Sequence, residues 1–175
     1  LGSKDTPPSS IFALFKELEK DQPKERFTLG ITDDVTGLSL PEVKPAPITA
    51  AAGTKECKFW GLGGDGTVGA NKNSVKIIGD HTDKYVQAYF QYDSKKTGGV
   101  TISHLRFGDK PIRSPYYINQ ADFVACHNPA YIHMGMKMVQ DVKPGGVFMI
   151  NCQWSDEELG QHLNAEAKKY IADNN

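Results

Sequence analysis

The chain has 175 residues with 20 Lys and Arg against 21 Asp and Glu, a net charge of −1 that supplies no basic field for nucleic acid. Its 39% hydrophobic and 23% charged content is that of a globular protein with a core, and no apolar run approaches the roughly 18 residues that would span a bilayer. Cys57, Cys126 and Cys152 lie far apart without C-x-x-C spacing, and the five histidines show no metal-binding spacing, so the chain alone is expected to bind no metal.

The first element expected is a helix capped by Ser9 or Ser10, with Ile11, Phe12, Leu14, Phe15 and Leu18 as its apolar stripe. Asp21-Gln22-Pro23 ends it. Residues 27–31 alternate as a short strand, and Thr32 to Gly37 is turn chemistry. From Leu38 to Thr54 the prolines at 41, 45 and 47 and the Ala50-Ala51-Ala52-Gly53 run read as a linker. Residues 1–54 therefore form an N-terminal appendage, and 55–175 the main α/β body. The chain starts at Leu1 without a methionine, which reads as an excised piece of something longer.

In the body, Cys57 to Leu62 reads as a strand and Val68 to Ile78 as a helix. Between and around them lies a stretch with five glycines in nine residues, in which Gly61, Gly63 and Gly66 fit G-x-G-x-x-G. Strand, glycine turn and helix N-terminus together aim free N–H groups and the helix dipole at one place, the arrangement that holds a phosphate. The other reading is a turn whose glycines only let helix and sheet pack closely. Tyr85 to Tyr92 and Val100 to Phe107 are the next strands. The connection between them is too short for a crossover helix, so they form a hairpin. Residues 123–126 make a short buried strand, 129–138 a helix with methionines on one side, 142–146 a turn, and 147–151 another buried strand. Ser155 to Glu158 is a capping box opening a helix, followed by a second helix over 165–172. The alternation gives a layered α/β/α domain with a mostly parallel, mixed sheet.

Asp93 ends the second strand and is followed by Ser94-Lys95-Lys96. Two lysines there suit a phosphate on a ribose, as in NADP or coenzyme A, although such a pair in a hairpin connection is more often a solvated loop. Lys72, Lys76, Arg106, Lys110 and Arg113 add positive charge that a polyanionic cofactor could use. Asn71 and Asn73 either meet a ligand or satisfy helix backbone. His104 is read as structural. No nucleophile elbow or catalytic triad spacing is present.

Gly61 to Gly79 (GLGGDGTVGANKNSVKIIG), Tyr92 to Arg113 (YDSKKTGGVTISHLRFGDKPIR), Ala121 to Cys126 (ADFVAC) and Pro144 to Trp154 (PGGVFMINCQW) together resemble pyruvate:ferredoxin (flavodoxin) oxidoreductase. The family pattern usually carries serine where Gly64 stands. The resemblance implies the gamma-type domain of a long, cytoplasmic or organellar, homodimeric enzyme that converts pyruvate and coenzyme A to acetyl-CoA and CO2. Its electrons pass to ferredoxin or flavodoxin. Thiamine diphosphate and [4Fe–4S] clusters are implied in other domains, so this piece alone would catalyse nothing. It would cover the active site and help bind coenzyme A. The site implied is Gly63, Gly64, Gly66 and Gly69 with Asn71 and Asn73, and Lys95, Lys96, Arg106 and Arg113 for the phosphates. An independent NADP-binding domain and a purely structural inter-domain module are the alternatives.

Overall fold

A strand buried or half-buried on both faces after its first residue, β1 (Lys55–Leu62), is the centre of a five-stranded sheet. The computed structural model describes residues 5–94 and 98–174. The other strands are β2 (Tyr85–Tyr92), β3 (Val100–Gly108), β4 (Ala121–Cys126) and β5 (Val142–Ile150), in the order β2-β3-β1-β4-β5. The hairpin of β2 and β3 is present, with Tyr85 opposite Gly108 and Tyr92 opposite Thr101. β1 runs antiparallel to β3 and parallel to β4, and β4 runs parallel to β5. The sheet is thus mixed as expected, with its parallel part confined to β1, β4 and β5. Residues 142–146 are not a separate turn but the start of β5, which loses register with β4 between Ala121 and Phe123 and resumes at Val147.

Strand residues alternate between faces, and the two faces carry different helices. On one lies α2 (Thr67–His81): a side chain at Gly61 would collide with Thr67, Gly79 lies against Val86, and the Lys72 ammonium sits 5.5 Å from the Phe90 ring centre. On the other face Trp60, Leu62, Val124, Cys126, Phe148 and Ile150 pack with Tyr131, Ile118 and Met138 in the main apolar cluster. That face is closed by α3 (Ala130–His133), a 3-10 turn at Val139–Asp141, α4 (Asp156–His162) and α5 (Ala165–Asn174), with Val139, Leu163 and Ala167 as a second cluster. The layered α/β/α class follows. α3 is shorter than the 129–138 helix expected, because Gly135 adopts φ 72° and its N–H turns back to the Ile132 carbonyl. The capping box forms: Glu158 N–H donates to Ser155 Oγ, and Ser155 N–H to Glu158 Oε2.

The chain divides into two units. The one just described holds Ala51–Ile112 and the chain from Ile118 onward; the other runs to Ala50 and includes Arg113–Tyr117. In that smaller unit the first helix, α1 (Pro8–Leu18), begins with Pro7 as its cap and Pro8 in its first turn, not with a serine cap. Its stripe is turned the other way round from expectation. Ser9, Ser10, Ala13 and Glu17 are buried, while Ile11, Phe12, Phe15 and Leu18 are exposed. Burial of Glu17 is tolerated because its carboxylate accepts from Lys20 Nζ and Lys24 N–H, and Ser10 Oγ donates to Glu42. Among the described residues, the apolar core of this unit is a small cluster of Ala13, Leu29 and Leu40, flanked by Leu14, Phe27 and Val43. No strand forms over 27–31 beyond a bridge between Thr28 and Ser39. The Asp34 carboxylate takes the N–H groups of Thr36, Leu38 and Ser39 and holds this backbone as a turn.

Gly61 is one of the strand glycines where a side chain has no room. A Cβ there would lie 2.5 Å from Thr67 Cβ, whereas one at Gly69 would meet nothing within 4 Å. Gly61→Ala is expected to destabilise the larger unit by ~1–3 kcal/mol through overpacking. Gly69→Ala is expected to be neutral or to stabilise by up to ~1 kcal/mol through helix propensity. Denaturant unfolding of the two variants measures the difference.

Candidate functional site at the carboxyl ends of the strands

β1 leads into α2 on one face and β4 leads into α3 on the other, so the chain departs in opposite directions from two adjacent parallel strands. Ligands of open α/β sheets bind in the crevice at such a point. The glycine loop stands on one side of it. Gly63 N–H donates to the Gly99 carbonyl at 2.8 Å, anchoring the loop to the start of β3. Gly64 and Gly66 then take φ of 95° and 88°, a backbone conformation that other residues rarely adopt. Gly64, Gly66 and Gly69 are exposed, with open space where a side chain would be.

The N-terminus of α2 is partly taken by the chain's own carboxylate. Asp65 Oδ1 accepts the Thr67 N–H at 2.8 Å and Oδ2 the Leu62 N–H at 2.7 Å. Burial would raise the Asp65 pKa, but these backbone donors outweigh it and hold the group below its ordinary value. Opposite the loop stands His127, directly after β4. Its Nδ1 lies 3.0 Å from Thr67 Oγ1, and its backbone N–H donates to the Trp60 carbonyl. Asn151, directly after β5, donates its N–H to the Cys126 carbonyl. The Tyr131 hydroxyl is fully buried and has no hydrogen-bond partner among the described residues; burial, then the nearby Asp65 charge, raise its pKa. Thr67, His127 and Tyr131 did not stand out in the sequence, since they belong to no motif and meet only through the β1–β4 pairing.

The residues expected at the site divide. Gly63, Gly64, Gly66 and Gly69 form the loop and the first turn of α2 as expected. Asn73 is exposed on α2. Asn71 is buried and donates from Nδ2 to the Thr67 carbonyl, so the backbone role weighed for it is the one it plays. Lys95 and Lys96 lie outside the described residues. Arg113 belongs to the smaller unit.

Arg106 is not on a rim. It is 1% exposed and donates from Nε to Glu56 Oε1 at 2.9 Å and from Nη1 to Gln87. Glu56 Oε2 accepts from Lys143 Nζ at 2.9 Å, and Lys143 also reaches Asp122, whose carboxylate accepts the Glu56 N–H. One turn along the same face, buried Lys58 pairs with Asp141 at 2.6 Å. His104, between these groups, accepts the Ile118 N–H at Nδ1 and lies near Gln91 through Nε2. Burial, then the charges of Lys58 and Arg106, push its imidazole down to about 3. The structural reading of His104 agrees with this position. Burial likewise pushes the Cys57 and Cys126 thiols up to about 11, which leaves both protonated and poorly nucleophilic.

A glycine turn at the head of a helix, set where two parallel strands send the chain to opposite faces of a mixed sheet, defines an open-sheet α/β domain. The chain belongs to the pyruvate ferredoxin/flavodoxin oxidoreductase family, whose model matches residues 56–173. It is 58% identical over 172 residues to the pyruvate:ferredoxin oxidoreductase of Moorella thermoacetica, covering 98% of this chain and 14% of that protein. To the pyruvate-flavodoxin oxidoreductase of Klebsiella pneumoniae it is 54% identical over 175 residues, covering all of this chain and 15% of that protein. The chain therefore spans about a seventh of the length of these relatives. Its fold is similar to that of pyruvate oxidoreductase subunit PORC of Thermotoga maritima, with a TM-score of 0.52 at 20% identity, over 63% of this chain and 57% of that one.

Two measurements check the buried groups. Glu56→Ala strands Arg106 without its carboxylate and is expected to cost about 3–5 kcal/mol. Asp109→Ala, which removes the exposed pair with Lys84, should cost no more than ~1 kcal/mol. For His104 the folded state favours the neutral ring, so its contribution is complete above the ordinary histidine pKa of about 6.5. It is lost as pH falls from there toward 3. Unfolding free energy should decline on acidification from pH 6.5 to 4.5, and the slope should flatten in His104→Gln.

Proposed function

We propose that this chain is the gamma-type domain of a pyruvate:ferredoxin or flavodoxin oxidoreductase, where it covers the active site and helps bind coenzyme A. In this reading the whole enzyme oxidatively decarboxylates pyruvate to acetyl-CoA in the cytoplasm or an energy organelle, as a homodimer. Thiamine diphosphate and iron–sulfur clusters are assigned to the rest of the polypeptide, as the family resemblance implies.

The observation that carries the proposal is the open glycine loop at the carboxyl ends of β1 and β4, with space around Gly64, Gly66 and Gly69 for close backbone approach. Asp65 refines the assignment. A phosphate seated at the α2 N-terminus would face a carboxylate that already holds the Thr67 N–H of its first turn and the Leu62 N–H at the end of β1. The loop therefore suits a neutral, amide-bearing part of coenzyme A, which can use the remaining backbone and the groups around Thr67 and His127. Phosphates belong instead at Lys95 and Lys96, past the end of β2. Lys72, exposed on α2 over Phe90, adds positive charge on the α2–β2 side. Arg106 takes no part, since Glu56 and Gln87 already hold it in the core.

In the full-length enzyme, Lys95→Glu combined with Lys96→Glu should raise the KM for coenzyme A at least tenfold, about 1.4 kcal/mol, and leave the KM for pyruvate nearly unchanged. An unchanged coenzyme A constant overturns the phosphate assignment.

A further inference from the structure

β5 is an edge strand. Proteins usually blunt such edges with charges, prolines or bulges. Here Pro144 and the register shift fall at the start of the strand, and the stretch from Gly146 to Ile150 contains no charge. Its two flanks are both apolar. On one face Val147 is 56% and Met149 40% exposed. On the other, Phe148 and Ile150 line a cavity of about 310 Å³ together with Leu159, Leu163 and Ile171.

The direction of the backbone groups follows from one hydrogen bond. Asn151 donates its N–H to Cys126 of β4. Successive residues of a parallel strand present their backbone groups to alternate sides, so Val147 and Met149 also face β4. Phe148 and Ile150 direct their N–H and C=O groups away from the sheet. An extended segment laid along that edge would satisfy them. Every second side chain of such a segment would fall over the cavity, and the others would continue the Val147–Met149 face.

We propose that this edge receives a sixth strand, an extended, uncharged, alternately apolar segment of the same oxidoreductase polypeptide from outside residues 1–175. The proposal rests on the family reading above: in a relative where the chain covers 14% of the length, most of the polypeptide lies outside the domain. A charged partner is disfavoured, because it would bury its charges against Val147, Phe148 and Met149, where Gly146 to Ile150 carry none to pair them and Lys143 at the start of β5 is already held by Glu56 and Asp122. The edge needs backbone partners as well as apolar cover, which an added strand supplies and a helix does not.

The test uses the full-length enzyme. Site-resolved hydrogen exchange should show the Phe148 and Ile150 amides protected at least ~100-fold relative to the Gly145 amide, as paired strand amides are. The Met149 amide, already facing β4, serves as the internal standard. In separate variants, Val147→Cys should react with a maleimide at least tenfold more slowly than Ile77→Cys, although the two side chains are almost equally exposed in the domain, at 56% and 57%. Exchange of Phe148 and Ile150 as fast as Gly145 overturns the proposal, and so do equal labelling rates. A disulfide between two copies of Val147→Cys also overturns it, in favour of pairing between two enzyme molecules. Neither readout involves coenzyme A, so a failed coenzyme A assignment leaves this result standing, and the reverse also holds.

Discussion

Glu56 stands in the central strand with its carboxylate shared between two cations, Arg106 from β3 and Lys143 from β5, while its own N–H is bonded to Asp122 from β4. Four strands are tied at one carboxylate, three of them by charge. Sliding β1 by one residue would carry Glu56 and Lys58 to the α2 face, away from the Arg106 guanidinium and the Asp141 carboxylate they now neutralise. The register of the sheet is thereby fixed at its amino-terminal end. At the other end of the same strand Trp60 and Leu62 enter the main apolar cluster. The sheet thus has a polar, directional half that sets alignment and an apolar half that supplies burial.

That fixed alignment is what gives the opposite edge its geometry. With β1 held, Gly61 lets Thr67 approach closely, α2 begins immediately above the strand, and Thr67 reaches His127 across the gap between β1 and β4. The loop is rigid for a reason visible in its bonds: Gly99 holds Gly63, and Asp65 spans Leu62 and Thr67.

Much of this architecture could be read from residue patterns. The glycine stretch between an apolar run and a helical one located the loop. The short Tyr92 to Val100 connection required a hairpin, and Ser155 with Glu158 formed the cap they spell. What escaped were properties that depend on partners distant in sequence. Arg106 looks like surface charge until Glu56, fifty positions earlier, is placed beside it. The spacing of Ile11, Phe15 and Leu18 marks a helix but not which side turns inward; donation from Lys20 and Lys24 to Glu17, and from Ser10 to Glu42, makes the polar side the buried one. A single Asp34 side chain, by taking three backbone donors, replaced a strand with a turn. The pairing of Thr67 with His127 crosses sixty residues and has no local signature.

Asp65 gives the glycine loop a further property. A carboxylate attached one residue before the N-cap never diffuses away, so it competes for the α2 N-terminus at an effective concentration of at least the order of millimolar. Free phosphate or another small inorganic anion must displace this tethered rival to enter, and gains no second contact for doing so. On the reading proposed above, the loop would disfavour small free anions relative to a molecule that also binds at other points.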